Sequence, residues 1–87
     1  MVSKEITIVN PQGLHLRPAS QLCEAALEFR SKCTMMIGGK EYNLKSVLSV
    51  LSGQVTAQKE ITLVCEGSDE QEALKTLSRI LSAGKEN

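Results

Sequence analysis

The chain has 87 residues, ten basic and ten acidic side chains that cancel, and a hydrophobic share of 41%. One small domain over residues 1–87 is the expectation, with no room for a large cofactor domain beside a substrate domain. Zero net charge removes the global electrostatic footprint of a nucleic-acid binder, and one Phe, one Tyr and no Trp leave no stacking platform for single strands.

Glu5–Val9 (EITIV) alternates apolar and polar residues as a half-buried strand does. Asn10-Pro11-Gln12-Gly13 follows with turn chemistry. From Leu16 the period changes: Ala19, Leu22, Ala26 and Phe29 fall on one helical face, and Pro18 sits in the first turn, where a missing N–H costs little. Cys33–Ile37 (CTMMI) and Lys40–Leu44 (KEYNL) flank Gly38-Gly39, a two-residue hairpin loop. Ser46 can cap a short helix over Val47–Ser52, with Gly53 as its stop. Glu60–Glu66 (EITLVCE) alternates again, with Ile61, Leu63 and Cys65 on one face. Ser68 and Gln71 read as a capping box for a last helix, whose apolar face is Leu74, Leu77, Ile80 and Leu81 and whose stop is Gly84. The order is β-α-β-β-α-β-α. An α+β fold, a four-stranded antiparallel sheet with three helices on one face, buries every apolar stripe at once.

Cys23, Cys33 and Cys65 are odd in number and lack CxxC spacing, so they read as buried thiols rather than a metal site or a disulfide framework. No segment has the apolar run of a signal peptide or membrane span, and the expected location is the cytoplasm.

Chemistry concentrates at the single histidine, His15, in Gly13-Leu14-His15-Leu16-Arg17-Pro18-Ala19. A lone histidine is more often structural than functional, but this one lies between a glycine-bearing turn and a helix start. Backbone N–H groups are unpaired there, those of Leu16 and Arg17 among them, and the helix dipole is positive. The Arg17 guanidinium can pair with phosphate oxygens in bidentate fashion. Taken alone, Arg17 reads as a solvated cation. With His15 and the helix amides it makes a cluster suited to phosphoryl transfer, which asks mainly for positioning and charge stabilisation.

The run G-L-H-x-R-P-A resembles the active-site signature of the HPr family, the histidine-containing phosphocarriers of the bacterial phosphoenolpyruvate:sugar phosphotransferase system. Asn43-Leu44-Lys45-Ser46 is similar to the family's regulatory-serine segment and lies at the matching separation. The resemblance covers essentially the whole chain and implies an open-faced β-sandwich. It implies that His15 accepts the phosphoryl group through Nδ1 and that Arg17 stabilises it. Enzyme I is then the donor and sugar-specific IIA domains are the acceptors. It also implies phosphorylation of Ser46 by an HPr kinase/phosphorylase, with a catabolite-control transcription factor as a further partner. Val47, Leu48, Leu51 and Ser52 fall in the family's docking region, with Val47 and Leu48 expected to be the more exposed pair. The implied protein is a monomeric carrier, regenerated by its partners rather than a stand-alone catalyst. It needs no metal or organic cofactor of its own; Mg²⁺ belongs to the partner that uses phosphoenolpyruvate.

Two departures stand out. Leu16 occupies a position that is more often Ala or Thr, and Ser52-Gly53-Gln54-Val55 replaces the usual leucine-glycine-leucine run. Both bear on partner choice. The alternatives are a regulatory or nitrogen-branch paralogue acting by protein binding, and a small-molecule-sensing α+β module, which leaves Gly13–Ala19 unexplained.

Overall fold

The structure is a computed structural model, and it describes residues 1–82. The elements are β1 (Val2–Thr7), α1 (Leu16–Ala26), β2 (Lys32–Ile37), β3 (Lys40–Asn43), α2 (Val47–Ser52), β4 (Glu60–Glu66) and α3 (Glu70–Ser82). The strands form one antiparallel sheet in the order β1-β4-β2-β3, with the helices on one face. Order and class are those read from the sequence.

The register explains the core. Ile6 pairs with Ile61, Met35 with Leu63 and Cys33 with Cys65, so these side chains project to the same face and are buried there. The helices cover that face with Ala19, Leu22 and Ala26 from α1, Val50 from α2, and Ala73, Leu77 and Leu81 from α3. Gly38 and Gly39 take φ of 56° and 84°. Two successive positive φ values match the right-handed twist of the flanking strands, which is why the β2–β3 hairpin closes in two residues.

Several boundaries differ from the sequence reading. β1 begins at Val2 and ends at Thr7, because β4 offers partners from Cys65 back to Glu60. Ile8 is still buried, held beyond the strand by bonds from its N–H to the Lys59 carbonyl and from the Gln58 N–H to its own carbonyl. α1 stops at Ala26, and Phe29 packs half-buried from the turn that follows. The expected Ser68–Gln71 capping box gives way to two acidic residues. Glu70 accepts from the Gly67 N–H at 3.0 Å. Asp69 reaches away from its own helix to accept the Arg30 N–H, the Ser31 N–H and the Ser31 hydroxyl. That carboxylate ties the segment between α1 and β2 to the start of α3, and the bond from the Ser31 hydroxyl, with those from the two amides, holds it below the ordinary aspartate value. The stop expected at Gly84 lies outside the described residues.

Candidate functional site

The site is built on a turn and a strap. Asn10 makes the turn twice over: its carbonyl accepts the Gly13 N–H at 2.9 Å, and its Oδ1 accepts the Gln12 N–H at 2.9 Å. Gly13 leaves the turn at φ +69° and presses against the loop after α2. A Cβ there would lie 2.2 Å from the Val55 carbonyl oxygen and 2.9 Å from Thr56 Cα, so both the conformation and the space demand glycine. The next amide, Leu14, donates to that same Val55 carbonyl at 3.0 Å, and its side chain is buried. The backbone is therefore fixed from both sides one residue before His15.

His15 is the N-cap of α1. Its backbone is extended (φ −84°, ψ −169°), and its carbonyl accepts the Ala19 N–H at 3.0 Å. Its side chain does not cap the helix, which leaves the half-buried imidazole unengaged by its own backbone. Among the described residues no backbone carbonyl reaches the N–H groups of Leu16 and Arg17, and Pro18 has none to offer. No acidic side chain occupies the first turn, so the positive end of the helix is not neutralised. Arg17 is exposed, and among the described residues no carboxylate comes within ion-pair distance of it. A solvent-open hollow runs past these groups, with Asn10, Gln12, Ser20 and Gln21 around His15 and Arg17 and Ile80 of α3 beside them. A free imidazole, two free amides and an unpaired guanidinium thus surround one open space. Chemically, that set can receive and hold a phosphoryl-sized anion.

α2 packs beside α1 and brings the second cluster near. Ser46 is its N-cap: Oγ accepts the Ser49 N–H at 3.2 Å, and its carbonyl accepts the Val50 N–H at 3.0 Å. Leu48 is 80% exposed and Leu16 62%. Ser52 is exposed too, with its hydroxyl donating to the Ser49 carbonyl at 2.6 Å. The expectation that Val47 shares the exposure of Leu48 is corrected. Val47 and Leu51 both pack half-buried on the core, because a six-residue helix lying on a sheet turns one flank inward along its whole length.

Gly53 ends α2 as expected. It sits at the C-cap with an ordinary φ of −70°, while Gln54 takes the left-handed conformation at φ 52°. The glycine serves packing too: a Cβ would meet Met35 Cε at 3.2 Å and Ile37 Cδ1 at 3.3 Å. The Val55 strap and the left-handed Gln54 had no sequence signal beyond the departure of this loop from the family pattern. Among the described residues no three His, Cys, Asp or Glu side chains gather as a metal site, and no helix is long and apolar enough to cross a membrane.

Solved structures similar to this chain include phosphocarrier proteins. The chain is 31% identical to the histidine-containing phosphocarrier protein of Mycoplasma, over 95% of this chain and 100% of that one, with a TM-score of 0.88. It is 31% identical to phosphocarrier protein HPr of Bacillus anthracis, over 93% and 96%, also at 0.88. The Bacillus subtilis catabolite repression protein Crh, solved as a swapped dimer, matches at 34% identity over 93% of each chain with a TM-score of 0.76. The family model for the PTS HPr component phosphorylation site spans residues 2–83, nearly the whole chain, and the chain accordingly belongs to the HPr family.

Proposed function

We propose that this chain is a phosphocarrier of the sugar phosphotransferase system, with His15 as the acceptor. Enzyme I presents its phosphoryl group, His15 Nδ1 attacks phosphorus, and the bond to the donor breaks as the new N–P bond forms. The N–H groups of Leu16 and Arg17 and the Arg17 guanidinium take up the charge on the equatorial oxygens. A IIA domain then removes the group by the same displacement in reverse. The observation that carries this reading is the unpartnered donor set around a free imidazole at the start of α1. Leu48, Leu16 and Ser52 form the face that partners touch, supported from beneath by Val47 and Leu51. An exposed apolar patch of this size suits brief encounters.

Ser46 is proposed as both a cap and a regulatory phosphorylation site for an HPr kinase/phosphorylase. The likeness to Crh, named for catabolite repression, supports that second role and a transcription-factor partner. A monomeric state and a cytoplasmic location belong to the same proposed reading.

Incubation with enzyme I and labelled phosphoenolpyruvate tests the assignment. One acid-labile, base-stable phosphoryl group is expected. His15→Ala should abolish it while leaving the melting curve near wild type, since the imidazole makes no cap bond. Labelling that survives the substitution would sink the carrier reading.

A further inference from the structure

The phosphocarrier reading leaves the cysteines unused, and two of them are partners in the sheet. Cys33 of β2 lies directly opposite Cys65 of β4. The Leu44 N–H donates to the Cys33 carbonyl at 2.9 Å, so Cys33 turns its peptide groups toward β3. Toward β4 it is therefore a non-hydrogen-bonded partner, the pairing in which opposed side chains come closest. Such pairs have Cα atoms ~4.5 Å apart, inside the roughly 4.4–6.8 Å window of disulfides. Both thiols project to the covered face, 1% and 0% exposed. Cys23 is on α1, away from this ladder.

We propose that Cys33 and Cys65 form a reversible modification site: a cross-strand disulfide that staples the two central strands without rearranging them. The oxidant is a small-molecule disulfide. One protein thiolate attacks it, forming a mixed disulfide and releasing one small thiol. The second protein thiolate then attacks the protein sulfur of that mixed disulfide, forming the Cys33–Cys65 bond and releasing the second small thiol. One protein dithiol and one disulfide thus become one protein disulfide and two thiols.

Burial decides when this happens. Removal from water pushes the Cys65 thiol up to about 12 and raises Cys33 as well, so the closed sheet presents almost no thiolate. Exchange proceeds when β2 and β4 part. Protein interiors are close-packed and both thiols are buried, so a bulky adduct opposes re-pairing of the strands, and re-pairing favours its displacement by the second cysteine. Oxidation is thus slow in the native protein and accelerates as the sheet is loosened.

Oxidised glutathione is the probe, applied at urea concentrations from zero to just below the unfolding transition. After quenching and alkylation, peptide mass spectrometry should show a single intramolecular Cys33–Cys65 link with Cys23 alkylated as a free thiol. The link should form faster with rising urea. The oxidised protein should melt roughly 10 °C or more higher, because the bond closes a loop of about 30 residues, and dithiothreitol should return it to the starting value. Cys23→Ser should form the same link. A lasting glutathione adduct at Cys33 or Cys65, a link through Cys23, no link at any urea concentration, or a link that lowers the melting temperature would each overturn the proposal. None of these readouts depends on phosphoryl transfer, so the carrier assignment stands or falls separately.

Discussion

Replacing Gly13 with alanine tests the strap that carries the acceptor. Two costs arise in Gly13→Ala. The first is conformational: a φ of +69° costs a non-glycine residue about 1–2 kcal/mol, part of which is offset by roughly 0.4–1 kcal/mol of lost freedom in the unfolded chain. The second is steric. The new Cβ starts 2.2 Å from the Val55 oxygen, a backbone atom that cannot rotate aside. Relief requires the Val55 strap to move, and that breaks the 3.0 Å bond from the Leu14 N–H, worth about 0.5–1.5 kcal/mol net. Overpacking adds about 1–3 kcal/mol, and a total of about 2–5 kcal/mol is expected. Gly38→Ala is the matched control: its φ is +56°, but nothing lies within 4 Å of the added Cβ. It should cost only the conformational part, about 0.5–1 kcal/mol after the unfolded-state offset. Urea denaturation of both variants at one temperature gives the comparison. Transfer assays on Gly13→Ala, cold enough to keep it folded, should show slower phosphorylation, because the strap fixes the backbone one residue before His15. If Gly13→Ala falls within about 0.5 kcal/mol of Gly38→Ala, well under the roughly 1.5 kcal/mol minimum of the two clash terms together, the close approach to Val55 does not constrain the site.

Three further outcomes follow from the same geometry. Arg17→Ala should slow phosphoryl transfer roughly 5–150-fold, the loss of about 1–3 kcal/mol of barrier stabilisation, while urea melts stay within about 0.5 kcal/mol of wild type; unchanged rapid-quench rates would make Arg17 a bystander. Ser46→Ala should destabilise by about 0.5–2 kcal/mol through the lost cap, whereas Ser46→Asp keeps an acceptor for the Ser49 N–H and should lower the apparent affinity for enzyme I in a way that fades with added salt. Asp69 contributes stability that is fully present above its ordinary value of 3.8 and lost as pH falls through its lowered folded value, so acid unfolding of wild type should steepen below that pH and Asp69→Asn should flatten the profile in a pH series of thermal melts.

What could be read in advance was what neighbours in sequence decide. The stripe Ala19-Leu22-Ala26, the Gly38-Gly39 hairpin and the Ser46 cap are local patterns, and the structure contains each of them. His15, Arg17 and the helix start are contiguous, so their convergence was legible as well. The parts that escaped are contacts between distant segments. Asp69 lies beside the start of α3, and nothing in its sequence neighbours shows that its carboxylate serves the Arg30 and Ser31 amides, 39 and 38 positions away. Gly13 looked like a turn glycine, and only the neighbouring loop shows that it is also a contact surface. Gly53 is the helix stop it looked like, but its missing Cβ is also used against Met35 and Ile37, and the left-handed backbone falls to Gln54. A sequence can show that a glycine is needed; which of its two properties is needed depends on what folds over it.

The division of labour at the site fits the proposed carrier, which would have to release its cargo as readily as it receives it. A deep anion pocket with a buried, paired cation would hold phosphate strongly and raise the barrier to passing it on. Here the backbone before His15 is locked by the Asn10 turn, the Gly13 approach and the Val55 bond, while the groups facing the anion are weak ones. A helix N-terminus contributes about 0.3–1 kcal/mol to a surface charge, and an exposed ion pair about 0–1 kcal/mol. Together these stabilise a phosphorylated imidazole by no more than about 2 kcal/mol, or about thirtyfold in an equilibrium constant. Such a site orients the group firmly and binds it lightly. On the proposed carrier reading, the stronger charge stabilisation of the transition state comes from a partner, whose docking on Leu48 and Leu16 would exclude water from the open hollow and strengthen the Arg17 and amide contacts that line it. On that reading the rate of transfer depends on the encounter, since the chain's own groups contribute only this light stabilisation.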